Sequence, residues 1–211
     1  MALPRIDTPT YQLTLPSTQE PIDYRPFLVK EQKIIMMAQE SNDETQMVRA
    51  MTDLLTSCTF GKIDISVLPT YDVEYMFLKI RGKSAGETVE LNLICPDDEE
   101  TYGIVEVKLD EVDVQMTENH TNVIKLTDKI KLIMKYPLLK DMKTITNASS
   151  GEQVFSIVKH CIHEVHDGDK IYNRIDITDK DIEEFMDSMN TEQLQMVLDF
   201  FQTMPKIRHP V

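Results

Sequence analysis

The chain has 211 residues, 41% of them hydrophobic, enough to bury one sizeable core or two small ones without disulfides or a metal. Its formal net charge of -14 argues against nucleic acid as a direct ligand, because phosphate binding needs cations that replace counterions. Cys58, Cys95 and Cys161 show no short pairing motif, as expected of reduced thiols, and no apolar run approaches the roughly 20 residues of a membrane span. The N-terminal residues lack the basic and apolar segments of a signal peptide, so the sequons Asn119-His120-Thr121 and Asn147-Ala148-Ser149 read as chance matches.

The first pattern is an alternation. Tyr11, Leu13 and Leu15 point one way and Gln12 and Thr14 the other, as in a half-buried strand. The run Pro16 to Pro21 breaks it, and Ile22 and Tyr24 resume it, which predicts a hairpin. After Arg25-Pro26-Phe27 a helix is expected over Leu28 to Ser41, with Leu28, Ile34, Ile35, Met37 and Ala38 among lysines and glutamates. Ser41 with Glu44 offers a capping box to a second helix, where Met47, Val48, Met51, Leu54, Leu55 and Cys58 share one face before Gly61. A third helix begins near Thr70 and carries Val73, Met76, Phe77 and Ile80.

The middle of the chain turns to strands. Val89, Leu91 and Leu93 alternate with Glu90 and Asn92, and after an acidic loop Val105, Val107 and Leu109 alternate with Glu106 and Lys108, a second hairpin with one wet face. Val112, Val114 and Met116 fit a further strand, while Val123 to Met134 fits both periods and stays open between strand and helix. Pro137 and the polar run Thr144 to Gly151 separate this region from a helical last third. There Val154, Val158, Cys161, Ile162 and Val165 share a helical face, residues 166–169 make a turn, and Ile171 to Ile177 is expected to be extended. Thr178 with Asp181 and then Asn190 or Thr191 open two short helices that should form a hairpin, the last stopped by Pro205. The expected class is α+β: an N-terminal β-hairpin plus helices over 1–86, a middle antiparallel sheet over 87–136 and a helical C-terminal region over 137–211, with one compact domain or several left open.

Chemistry is harder to find. His160, His163 and His166 beside Cys161 suggest zinc ligands, but on a helix they would lie away from the cysteine and read as a solvated face. Cys95-Pro96 starts like a zinc knuckle and continues into four acids without a second cysteine, which leaves a solvated acidic loop. There is no phosphate-binding glycine loop, metalloprotease helix pair or nucleophile elbow, so no catalytic, cofactor-binding or metal residue is assigned and no cofactor is expected. The 13 methionines are an excess suited to irregular cores and to adaptable binding surfaces; Met37 and Met196, near the edges of their stripes, are the interface candidates among them.

Several stretches resemble the baseplate hub assembly proteins of T4-type tailed bacteriophages. They are Thr8-Pro9-Thr10-Tyr11, Leu15-Pro16-Ser17-Thr18, Tyr24-Arg25-Pro26-Phe27-Leu28-Val29-Lys30-Glu31, Leu68-Pro69-Thr70-Tyr71-Asp72-Val73 with Arg81-Gly82-Lys83-Ser84, and the ending Phe200-Phe201-Gln202-Thr203-Met204-Pro205. The resemblance implies a non-enzymatic assembly factor or chaperone for the central hub of a contractile tail baseplate, working in the host cell cytoplasm. Its implied partners are hub or tail-initiator proteins, with neither nucleic acid nor membrane. A permanent hub subunit in the virion tail baseplate is the alternative. Partner-binding candidates are Tyr24, Arg25, Phe27, Leu28, Met37 and Met196.

Overall fold

The structure, a computed structural model, describes residues 6–95, 97, 100–146 and 150–210, with backbone alone for 143–146, 150 and 151. Pro96, Asp98 and Glu99 of the acidic loop and the sequon Asn147-Ala148-Ser149 lie outside the described residues. The fold is α+β, its sheets antiparallel where their register is defined. Two compact units divide it: one holds the residues up to Gln115 together with those from Ile207, the other Met116–Lys206.

The first unit opens with the expected hairpin, β1 (Tyr11–Thr14) paired to β2 (Pro21–Tyr24). Leu13, Leu15, Ile22 and Tyr24 are buried while Gln12 and Thr14 face solvent, as the two-residue period requires, but Tyr11 at the start of the strand is exposed. Three helices follow: α1 (Val29–Ser41), α2 (Glu44–Cys58) and α3 (Thr70–Ala85). The cap between the first two differs from expectation. Ser41 stays inside the last turn of α1, donating from Oγ to Ala38 O at 2.7 Å, and Asn42 then takes a left-handed conformation (φ 50°) that ends the helix. Asp43 caps α2, accepting from the N–H groups of Thr45 (2.8 Å) and Gln46 (3.2 Å). The second hairpin, β3 (Thr88–Ile94) with β4 (Tyr102–Lys108), has Val107 buried at its base. Lys79 on α3 ties down the chain beyond it, donating to the carbonyls of Leu109, Asp110 and Val112 at 2.8–3.3 Å. Next comes β5 (Asp113–Gln115).

The second unit is built on a four-stranded sheet in the order β6 (Val123–Lys125), β7 (Ile130–Met134), β8 (Ile162–Asp167), β9 (Lys170–Asn173). The ambiguous segment 123–134 is thus a strand pair. α4 (Leu139–Thr146) and α5 (Ser150–Cys161) lie between β7 and β8, and α6 (Asp179–Asp187) and α7 (Thr191–Thr203) follow β9. Leu132, Val158, Cys161, Ile162, Ile182 and Val197 are fully buried at the centre of its core. The first late cap forms as read, Thr178 exchanging hydrogen bonds with Asp181; of the two candidates for the second, Asn190 is the cap, exchanging hydrogen bonds with Gln193, and Thr191 is the first residue of the helix. Beyond Lys206 the chain belongs to the first unit again, where its last strand, β10 (Lys206–Arg208), pairs with β5 of that unit.

One expectation fails here. The face Val154 to Val165 is not a single helix: α5 stops at Cys161, and Ile162 begins a strand. Ile133 pairs with Glu164 and Met134 with Ile162, so His163 is an extra residue in a β-bulge. The bulge puts Ile162 and Val165, three apart, on the same buried side and so imitates helical spacing. Likewise Ile171 to Ile177 is extended only to Asn173, after which Arg174–Asp176 form a 3-10 turn.

Candidate partner-binding surface

The segment between β2 and α1 is fixed by a buried ion pair. The Arg25 guanidinium donates to Glu31 Oε1 (2.8 Å), Ser57 Oγ (2.8 Å) and the Pro26 carbonyl (2.8 Å), and Ser57 Oγ donates in turn to Glu31 Oε1 (2.9 Å). The second Glu31 oxygen accepts the Leu28 N–H at 2.8 Å, so an acid in the first turn of α1 satisfies a donor that a helix leaves unpaired. Burial alone would raise the Glu31 carboxyl, but Arg25, the Leu28 N–H, Ser57 and Lys30 outweigh it and hold the group at about 2, below its ordinary 4.5. Phe27 is pinned through its backbone, whose N–H donates to Ser84 Oγ at 2.9 Å.

This anchoring gives α1 an unusual polarity. Its buried residues are Glu31 and Ala38, one turn-pair apart on the inward face. Its largest apolar side chains look outward: Val29 is 67% exposed, Met36 52% and Met37 70%, with Leu28 and Ile34 also exposed. At 100° per residue Val29, Met36 and Met37 lie within one arc on the side away from Glu31 and Ala38. Lys33 and Glu40 share that arc, so it is not acidic like the chain as a whole.

The six residues singled out by sequence separate on this geometry. Met37 lies on the outer arc of the anchored helix, and Leu28, the residue that precedes its first turn, is exposed beside it in sequence but not on that arc. Phe27 is half-buried, and Tyr24, 4% exposed, is an interior ring set 5.7 Å from Tyr11. Arg25 is the hub of the ion-pair network. Met196, exposed on α7, belongs to the second unit, where it lines a recess with Ile124 and Phe200. Sequence reading passed over Val29 and Met36. The signal for them was the adjacency of Leu28-Val29 and Met36-Met37, which spreads apolar residues over more of the helix than one buried stripe can use.

The histidines take new places with the bulge. His160 bonds the Ser156 carbonyl (2.8 Å), while His166 and His163 approach opposite oxygens of Glu164 at 2.7 and 3.8 Å. Among the described residues no group of three or more His, Cys, Asp or Glu could hold a metal ion, and no helix is long and apolar enough to cross a membrane.

A family model described as T4 bacteriophage base plate protein matches residues 8–211. The chain belongs to that family. No curated protein and no solved structure matches it. Four of the stretches that carry the base plate resemblance lie in the first unit and meet there in two pairs. Ser17 of Leu15-Pro16-Ser17-Thr18 donates from both its N–H (3.1 Å) and its Oγ to the fully buried Asp72 carboxyl of Leu68-Pro69-Thr70-Tyr71-Asp72. Burial raises that carboxyl, and the two bonds from Ser17 oppose the rise. Phe27 likewise reaches Ser84 of Arg81-Gly82-Lys83-Ser84. These two pairs of stretches are joints of the first unit, and α1 follows directly from one of them.

Proposed function

We propose that this base plate family member is a non-enzymatic assembly factor for the central hub of a contractile phage tail, and that it binds hub or tail-initiator proteins through the outward face of α1. The observation that carries this reading is the inverted helix: a buried ion pair fixes the inner side, and Val29, Met36 and Met37 stand in solvent on the outer. Exposed methionines suit a binder because their flexible, polarizable side chains adapt to irregular apolar surfaces. The buried carboxylates among the described residues, Glu31, Asp72 and Asp141, are engaged in structural bonds to Arg25, Ser17 and the Leu138 N–H, which supports binding over catalysis.

The test is co-expression with the phage hub proteins and pull-down on a tag. Met36→Asp/Met37→Asp should lose the co-purifying hub protein while its circular dichroism and unfolding midpoint stay those of the parent. A variant that still captures its partner overturns the α1 assignment. Phe27 is the wrong place for this substitution, since a half-buried aspartate there would unsettle the joint itself. A permanent hub subunit needs the same exposed apolar face, covered for good in the particle. Mass spectrometry of purified virions separates the two: a stoichiometric signal excludes a purely transient factor.

A further inference from the structure

The second unit holds a recess that the α1 reading does not use. It has a volume of about 470 Å³ and lies where β7, β8 and β9 face α6, walled by Val165, Ile182 and Phe185 with Tyr172 at its lip. That size is within the range of sites that take a ligand or a group of side chains. Its remaining feature is charge: Asp167, Asp176 and Asp181 all line it. Asp181 accepts the Thr178 N–H at 3.0 Å, whereas Asp167 and Asp176 form no ion pair among the described residues.

Two neighbouring cations leave Asp167 and Asp176 unpaired among the described residues. Lys170 stands opposite Asp167 in the β8–β9 register without forming an ion pair to it among the described residues. Arg174 is committed to Asp179 and to the Ile177 carbonyl at 2.8 Å. Next to Asp176, Ile175 is 92% exposed and extends the apolar area beside the acids. An apolar recess with unpaired carboxylates at its mouth selects a group that is apolar in its body and cationic at its end. A second copy of the chain is a poor occupant, because both partners would bring a net charge of -14.

We infer that this recess is a second docking site, for a segment of a protein partner in which a large apolar side chain lies beside lysine or arginine. The apolar group fills the space against Ile182 and Phe185, and the cation meets Asp167 and Asp176. This site stands or falls apart from the α1 face, since no residue is common to the two.

A fluorescent twelve-residue peptide of alternating leucine and arginine serves as the probe, compared with versions carrying citrulline for arginine or serine for leucine. Binding to the full chain should be saturable by anisotropy and weaken at least about tenfold in either control, a difference of about 1.4 kcal/mol. Asp167→Asn/Asp176→Asn should weaken it similarly, whereas Asp97→Asn/Glu100→Gln in the other unit should leave it unchanged. In parallel, the isoleucine methyl resonances of Ile130, Ile177 and Ile182 should shift in the parent protein and that of Ile104 should not. Absence of binding, equal loss in both acid variants, or methyl shifts elsewhere overturns the assignment, as does a dimer of the chain alone that Asp167→Asn/Asp176→Asn dissolves.

Discussion

At the scale of the residue, the most consequential group is Glu31. It is 3% exposed, carries its charge against burial, and reaches Arg25, Ser57 and the Leu28 N–H at once. Breaking a buried pair from one side leaves the other charge without a partner, a loss of about 3–5 kcal/mol. Glu31→Gln should therefore lower the stability of the first unit by about that much, read from its urea midpoint. The acid dependence follows from the sign of the shift. Glu31 is lowered from 4.5 to about 2 in the folded state, so the unfolded chain binds the proton first and the stabilisation, full above pH 4.5, is lost as pH falls toward 2. Glu31→Gln should remove that slope between pH 4.5 and 2 and leave stability at neutral pH lower. The stretch Arg25 to Glu31 was legible as important, but its role as a joint was not: nothing in one sequence shows that Ser57, 26 residues on, completes the set.

At the scale of the element, periodicity gave most of the architecture and failed where two periods coincide. The first hairpin, α2, α3, α6 and α7 follow from alternation, helical stripes and caps, because each has one buried face and one wet face. The junction after α5 could not be read this way. A bulge at His163 spaces Ile162 and Val165 as a helix would, and the pairing with Met134 and Leu132 that defines the strand is remote in sequence. The bulge predicts an asymmetric response to length changes. Deleting His163 regularises the ladder, keeps Val165 inward, and should cost no more than about 1–2 kcal/mol. Inserting an alanine between Glu164 and Val165 turns Val165 outward and should abolish cooperative unfolding of the second unit, as followed by tyrosine fluorescence. α1 forms where it was expected, but the exposure of Val29 and Met36 on it was not foreseen, because apolar spacing alone does not say which side of a helix is the inside.

At the scale of the whole molecule, two units with separate buried cores respond to pH with different signs. In the second unit His120 lies between Tyr136 and Phe200, with ring centroids 5.6 and 5.1 Å away, and its Nε2 has no partner among the described residues. Burial lowers its pKa below 6.5, so the unfolded chain takes up the proton first and the second unit loses stability as pH falls below about 6.5. The first unit has no such loss in that range. Its buried Asp72 is raised above 3.8, which favours the folded form as pH falls, and the Glu31 contribution persists until about pH 4.5. Each unit carries its own reporter, since Cys58 and Cys161 are fully buried and burial lifts their thiols to about 11 and 12. Lowering the pH from 7.5 to 5.5 should therefore move the urea midpoint for labelling Cys161 by a methanethiosulfonate pulse to lower concentration, while that of Cys58 holds or rises. In His120→Phe, which keeps the ring stack and removes the titrating nitrogen, the Cys161 midpoint should become nearly independent of pH. Equal shifts at both cysteines would mean that the two units unfold as one body, with the loss at His120 shared across the chain.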